Sequence, residues 1–202
     1  MANGKGWKAL TISSLALSAV LITGMIVIYW WSSTTIILVV RHGERDDTTS
    51  CTAPTNNPPL STAGQTRADT LAHVVEDTGL QAIYASEFCR TQQTVAAVAT
   101  DLSLSTNVLS QHATDGSADI TALVEQINTT HVGQKVLVAG HQSTVKKLIE
   151  DLGGGTIDNI ESGEFDNLYV VTITRGWWRW FGYGKRVRVV RLKYGAPSPV
   201  VM

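Results

Sequence analysis

Four residues in this sequence pair nucleophilic with anion-binding chemistry: Arg41 and His42 side by side, Arg90, and His141. An imidazole attacks through one ring nitrogen when the other is fixed by a hydrogen bond, for instance to a backbone carbonyl. A guanidinium fork binds non-bridging phosphoryl oxygens bidentately, and its charge counters what accumulates during transfer. Brought to one place, the four suit metal-free phosphoryl transfer through a phosphohistidine on His42 that water then hydrolyses. Gly43 would remove a side chain where the phosphate must approach closely. Glu44 reads as a neighbour of the substrate, or as the group that orients Arg41.

The elements around them can deliver that convergence. The apolar run Ile36 to Val40 ends directly at Arg41, and Lys135 to Ala139 ends at Gly140-His141, so each histidine follows a buried strand of about Thr35–Val40 or Lys135–Ala139. Parallel strands deliver their C-terminal ends to a common edge, where open α/β sheets bind ligands. A short strand at Ala82–Ala85 leads into a helix from about Glu87 to Leu102, which puts Arg90 on a first turn facing the same edge. A helix beginning near Ser143, capped by that residue, adds free N–H groups and a positive dipole end.

The remaining elements alternate in the same way. Ser61 is the expected N-cap of a helix whose apolar face is Ala63, Ala68, Leu71, Ala72 and Val75, stopped by Gly79. Val108-Leu109 marks a third strand, and Ile120 to Asn128 a helix with Ile120, Leu123, Val124 and Ile127 on one face. The helix after His141 stops at Gly153-Gly154-Gly155, and Leu168 to Thr174 with Val187 to Tyr194 reads as a hairpin. Short apolar strands alternating with helix-period stretches predict an α/β domain with a mostly parallel sheet. The polar loop Asp46 to Pro59 is too long for a simple connector and is the expected specificity element.

At these residues the chain resembles the histidine phosphatase superfamily, in the branch of phosphoglycerate mutase and the small phosphohistidine phosphatases. Arg41-His42-Gly43-Glu44 is similar to its signature. Leu60-Ser61-Thr62-Ala63-Gly64-Gln65 with Ala68 resembles its L-T-x-x-G-x-x-A helix start, and Arg90-Thr91-Gln92-Gln93-Thr94 its R-A-x-Q-T-A stretch. Val138 to Thr144 resembles the G-H-S-N-T form of its second histidine motif. Phe165 to Val170 and Tyr194-Gly195 also look like that subgroup. The resemblance implies a three-layer α/β/α fold, His42 as phosphoacceptor, and Arg41, Arg90 and His141 around the phosphate.

One departure bears on the substrate. Relatives of this branch carry a Glu-x-x-x-Gly acid after the third strand, where this chain reads Leu109-Ser110-Gln111-His112-Ala113-Thr114-Asp115-Gly116. Asp115 is the candidate general acid, a solvated loop aspartate being the plain alternative; Glu44 and Glu87 are weaker candidates. A positioned acid contributes roughly 10²- to 10⁴-fold, so its loss argues against mutase activity and for a phosphatase acting on a small phosphorylated substrate or a phosphoprotein. The alternative is a catalytically weak scaffold that binds phosphorylated ligands or associates with a membrane. With no glycine-rich nucleotide loop and no Cys/His cluster at metal-ligand spacing, neither cofactor nor metal is expected.

Composition adds a location. The chain has 202 residues, 44% apolar and 16% charged, more apolar than an ordinary soluble domain. The excess sits in residues 9–31, which hold no charge and are long enough to cross a bilayer core of roughly 30 Å. A cleaved signal peptide and a buried core helix compete with a single-pass anchor; the unbroken length and Tyr29-Trp30-Trp31 favour the anchor. The expected organisation is a basic segment 1–8, a transmembrane helix 9–31 and a catalytic domain 32–202. Lys5 and Lys8 before the span predict an extracytoplasmic, periplasmic-type placement of that domain, the cytoplasmic face being the alternative. The two cysteines, Cys51 and Cys89, allow one disulfide or two free thiols; an oxidising compartment would permit a bridge, which would restrain the mouth of the site.

Residues 175–193 carry seven of the sixteen basic residues, interleaved with Trp177, Trp178, Trp180, Phe181 and Tyr183. That composition suits contact with an anionic membrane surface. A solvated edge strand and a stacking platform for single-stranded nucleic acid are the other readings, and no nucleic-acid partner is expected.

Overall fold

The computed structural model describes residues 16–24, 33–52, 57–110, 117–176 and 184–198. The chain divides into two compact units, Thr34–Ile173 with Arg186–Met202, and Met1–Ser33 with Thr174–Lys185. In chain order the elements are β1 (Ser33–Arg41), α1 (Thr62–Val75), β2 (Ala82–Ser86), α2 (Cys89–Asp101), β3 (Thr106–Leu109), α3 (Ser117–Thr129), β4 (Lys135–Gly140), α4 (Gln142–Asp151), β5 (Asn167–Arg175) and β6 (Lys185–Lys193).

The strands form one sheet in the order β3-β2-β4-β1-β5-β6. The first four strands of the chain pair in parallel, with Arg41 opposite Gly140 and Ala85 opposite Ala139. That register brings the C-terminal ends of β1, β4 and β2 to one level, so the residues following each strand share an edge. β5 and β6 are neighbours joined by a short connection with a Gly176 N–H bond to the Gly184 carbonyl at 3.0 Å, which makes an antiparallel hairpin on one side of the sheet.

Strand alternation sorts the core into two layers. Ile37, Val39, Val136 and Val138 face α3 and α4, packing on Leu123, Ile127, Leu148 and Ile149. Leu38, Val40, Leu137 and Ala139 face α1 and α2, packing on Leu71, Val75, Val95 and Val98. The inner strands are buried on both faces, as a sheet covered by helices on each side requires. The expected three-layer α/β/α domain is therefore the observed one.

Two local expectations change. Ala63 is exposed, and Gly64 and Arg67 take its place on the buried face of α1. Ser61 does cap α1, its side chain accepting from the Gly64 N–H at 3.2 Å. Residue 143 is not a cap: the cap lies two residues earlier, at His141, because the Thr144 hydroxyl accepts the His141 N–H at 2.7 Å.

In the other unit, residues 16–24 are helical, and Leu17, Val20, Leu21 and Ile22 are exposed. Among the described residues no helix is long and apolar enough to cross a membrane. The rest of the expected span, 9–15 and 25–31, lies outside the described residues, as do the aromatic residues of the basic hairpin, 177–183. Part of that hairpin's charge is taken up within the fold: Arg175 is buried, and Lys193 pairs with Glu164 at 3.1 Å and Asp166 at 2.8 Å. Arg186 and Arg188 are exposed.

Candidate active site

The ladder between β1 and β4 runs one residue past β1, through a His42 N–H bond to the Gly140 carbonyl at 3.0 Å. This fixes the backbone of the first histidine against the strand that carries the second. The His42 ring is buried, with Nδ1 2.7 Å from the Gly43 carbonyl oxygen. A carbonyl only accepts, so Nδ1 carries the proton and Nε2 keeps its lone pair. The ring lies 5.2 Å from the His141 ring and 5.8 Å from Phe165, centroid to centroid.

Arg41 and Arg90 are each 9% exposed. The Arg41 guanidinium lies 4.3 Å over Phe165, and its Nη1 donates to the carbonyls of Glu161 at 2.8 Å and Glu164 at 3.1 Å. Arg90, on the first turn of α2, lies 4.5 Å over Phe88, with Nη2 3.5 Å from His141 Nδ1. Phe88 also meets the His141 ring edge-on at 5.1 Å. The two aromatic rings therefore bracket the guanidiniums and fix their planes.

Arg41 Nε and both Nε and Nη1 of Arg90 are buried and have no hydrogen-bond partner among the described residues. Buried charged donors left in that state are costly. Three such nitrogens beside the His42 imidazole are donors of the kind that suit an oxyanion.

Electrostatics agree. Burial, above all, lowers the pKa of His42 to about 3, with the positive charges of Arg41 and Arg90 adding to it and the Gly43 hydrogen bond opposing it. Burial followed by Arg90 and Arg41 lowers His141 to about 3. Arg41 falls to about 10, through burial and then Arg45 and Arg90, and Arg90 shifts the same way. At neutral pH both imidazoles are neutral and both guanidiniums charged. A bound anion relieves the repulsion between the guanidiniums.

These groups open into a cleft of about 720 Å³ lined further by Arg45, Gln142, Ser143, Lys146, Asn159, Ile160 and Glu161. Residues 142–146 come from the start of α4, which aims free N–H groups at the cleft as expected. Residues 159–161 come from the segment before β5, held by a Gln142 Nε2 bond to the Ile160 carbonyl and a Lys146 Nζ bond to Asn159 Oδ1 at 2.9 Å.

Glu44 and Gly43 both have partners on α1. Glu44 binds the guanidinium of Arg67, with Arg67 Nη2 2.6 Å and Nε 2.9 Å from its two oxygens, and does not line the cleft. A side chain at Gly43 would press on the Gly64 backbone, its Cβ 3.0 Å from that carbonyl, and one at Gly64 would collide with the Glu44 carbonyl. The two glycines let the loop after β1 and the start of α1 touch backbone to backbone. Residues 111–116, including Asp115 and His112, lie outside the described residues.

Several supporting residues get no role from the sequence, although Thr91 and Phe165 lie in stretches that resemble the family. Arg67, Phe88, Phe165, Ser86 and Thr91 sit far from the histidines in sequence, and only the sheet register brings them near. Thr94 is one of the residues of the Arg90 stretch; its hydroxyl accepts the Gly43 N–H at 3.0 Å and donates to the Arg90 carbonyl at 2.6 Å, joining the two halves of the site.

A disulfide joins Cys51 to Cys89, with Cα atoms 6.5 Å apart. Beside it the buried Asn57 accepts the Cys89 N–H through Oδ1 at 2.8 Å, while its carbonyl accepts the Cys51 N–H at 2.8 Å. Phe88, the N-cap of α2, offers no side-chain cap, so Asn57 caps the helix from the loop and steadies the turn that carries Arg90. Among the described residues no group of three or more His, Cys, Asp or Glu is placed to hold a metal ion.

Comparison with known proteins agrees with this geometry. The family model of the histidine phosphatase superfamily (branch 1) matches residues 37–112. No curated protein matches the sequence. Among solved structures, the protein histidine phosphatase SixA complexed with tungstate is 19% identical, with a TM-score of 0.54 over 78% of this chain and 96% of that one. A mycobacterial glucosyl-3-phosphoglycerate phosphatase complexed with VO3 is 14% identical, with a TM-score of 0.55 over 79% of this chain and 99% of that one. A protein described as mycobacterial hydrolase 1 is 14% identical, with a TM-score of 0.52 over 82% of this chain and 100% of that one. At these identities the structures share the fold. The segment matched by the histidine phosphatase model holds Arg41, His42 and Arg90, and the same sheet delivers His141 beside them.

Proposed function

We propose that this protein is a metal-independent phosphatase that moves a phosphoryl group from a small phosphorylated substrate or a phosphoprotein onto His42 and then to water. The observation that carries the reading is the convergence of His42, its Nδ1 hydrogen held by Gly43, with unpartnered nitrogens of Arg41 and Arg90. His42 Nε2 attacks phosphorus, the bond to the leaving oxygen breaks, and that oxygen takes up a proton. A water oxygen then attacks phosphorus, the P–N bond breaks, the water gives up a proton, and inorganic phosphate leaves. Arg41 and Arg90 hold the non-bridging oxygens and supply the charge that a metal would otherwise provide. Asp115 is the proposed donor to the leaving oxygen.

The similar structures support this assignment, since two are phosphatases by name, one acting on protein phosphohistidine and one on a glucosyl-3-phosphoglycerate. The resemblance to the small phosphohistidine-phosphatase subgroup and the weak acid region favour hydrolysis over mutase chemistry.

The proposal extends to location: an anchor in residues 9–31 with the catalytic domain on the extracytoplasmic face. Exposed Leu17, Val20, Leu21 and Ile22 on helical residues 16–24 support an apolar environment for that segment. The Cys51–Cys89 bond supports an oxidising compartment. Protease accessibility in intact cells against lysed cells tests the placement.

Turnover of p-nitrophenyl phosphate by the protein tests the activity. His42→Ala abolishes it under this reading, and acid-labile, base-stable labelling from a radiolabelled phosphoryl donor marks the intermediate. Turnover that survives His42→Ala would overturn the assignment, and absence of turnover with retained phosphate binding would favour a scaffold.

A further inference from the structure

The proton on the second histidine is assigned by a chain of hydroxyls behind it. The Thr91 hydroxyl oxygen lies 2.7 Å from the Phe88 carbonyl, 3.0 Å from the Ser86 carbonyl and 2.7 Å from Ser86 Oγ. Thr91 has one proton, and carbonyls only accept, so that proton goes to a carbonyl. The contact between the two hydroxyls is then made by the Ser86 proton, pointed at Thr91. Ser86 Oγ is also 3.0 Å from His141 Nε2, and with its proton spent on Thr91 it can only accept there. His141 therefore carries its hydrogen on Nε2. Its Nδ1 keeps a lone pair, which takes the Arg90 Nη2 hydrogen at 3.5 Å, at the edge of the cleft that both residues line.

We propose that Ser86 and Thr91 fix His141 in the Nε2–H tautomer, so that the site binds an oxyanion together with one proton shared between His141 Nδ1 and an anion oxygen. A lone pair facing an anionic oxygen repels it, whereas a proton between them makes a charge-assisted hydrogen bond. The proton comes from solvent or arrives on a monoanionic phosphoryl group, and it leaves with the product anion. Ser86 is thus a positioning residue acting through His141. The inference rests on the reading of this cleft as a phosphoryl site.

The groups facing the cleft around His141 favour the uptake only once the anion is present. Arg41, His42 and Arg45 come from the end of β1 and its loop, Arg90 from α2, Lys146 from α4, and Glu161 from the segment before β5. Apart from Glu161 these are cations or a neutral imidazole, and they oppose a positive His141, in line with its pKa lowered to about 3. An oxyanion among them reverses that balance.

Tungstate is a suitable probe because it stays a dianion across the neutral range. Calorimetric titration of the full chain in buffers of different ionisation enthalpy reads the protons taken up per tungstate bound. About one proton is expected between pH 7 and 8, with affinity falling about tenfold per pH unit. In Ser86→Ala the Nε2 hydrogen loses its acceptor and the ring adopts the other tautomer, so tungstate binds with proton uptake near zero. Thr91→Val, which frees the Ser86 proton for Nε2 without touching the histidine, acts in the same direction, and Ser86→Thr restores uptake. Tungstate binding by the unaltered protein with no proton uptake, or full uptake in both Ser86→Ala and Thr91→Val, overturns the inference and leaves the phosphatase reading standing. No tungstate binding at all overturns both. Loss of p-nitrophenyl phosphate turnover with proton-linked binding intact would overturn only the phosphatase reading.

Discussion

The carboxylate of Glu44 is gripped by the guanidinium of Arg67, with the shortest contact 2.6 Å from Nη2, and Arg67 is 4% exposed. The same guanidinium donates to the carbonyls of Tyr194 and Ala196, each at 2.9 Å. One buried cation therefore ties the end of the histidine loop to the segment after β6.

Removing one partner of such a pair strands a buried charge, at about 3–5 kcal/mol. We expect Glu44→Ala to lose stability of that order in urea unfolding, while kcat/KM for p-nitrophenyl phosphate, corrected for folded protein, changes less than tenfold. Glu44→Ala with Arg67→Met should cost less than the two single changes added together. A large loss of kcat with stability unchanged would mean that Glu44 touches the substrate after all.

An oxyanion should stabilise the fold through the unpartnered nitrogens of Arg41 and Arg90. Binding only the folded state at a hundredfold excess over Kd adds about 2.7 kcal/mol, read as a rise in Tm with tungstate or phosphate. Arg90→Met should erase most of that rise, because it removes two of the three unpartnered nitrogens. An equal rise in the variant would place the anion elsewhere.

The parts of the site that the sequence exposes are those governed by local rules. β-Branched runs ending at His42 and His141, and Arg90 on a first turn, need only strand and helix periodicity to be placed at one edge. The stacking of Phe165 on Arg41 was hidden because it joins residues 124 apart in the sequence (165 − 41), whereas Phe88 stacks on Arg90 only two residues away, and nothing in an apolar residue at a helix start marks it as the partner of a cation. Nothing in the sequence singles out Arg67; its burial on the inner face of α1 goes with the close approach that Gly43 and Gly64 allow. The start of α4 was misread for a related reason. Ser143 has cap chemistry, but Thr144 three residues after His141 already satisfies the His141 N–H, which moves the cap forward.

The Cys51–Cys89 bond closes a loop with a sequence separation of 38. In the chain-entropy account a loop of that size corresponds to about 4 kcal/mol. Reduction, or Cys51→Ser with Cys89→Ser, should lower the unfolding free energy by about 2–4 kcal/mol. Because Asn57 caps the turn holding Arg90 from the same loop, KM should rise more than kcat falls. Thermal unfolding with and without reductant, with a mass measurement confirming the redox state, checks both; unchanged stability on reduction would exclude a structural bridge.

Stability should also fall with acid from an unusually high pH. His42 and His141 have folded pKa values of about 3 against 6.5 in a free chain. Between those values the unfolded chain binds more protons, so stability rises with pH there, is fully present above 6.5, and is lost as pH falls towards 3. At about 1.4 kcal/mol per pH unit for each group, lowering the pH from 6.5 to 5 costs up to about 2 kcal/mol per histidine. Glu44 and Asp166, whose pKa values are also lowered, act in the same direction but only below their free-chain values of 4.5 and 3.8. Urea unfolding at pH 5 and pH 7 reads the difference. His42→Asn should remove close to half of it, whereas a slope unchanged in His42→Asn would mean that His42 is not the buried neutral imidazole the site requires.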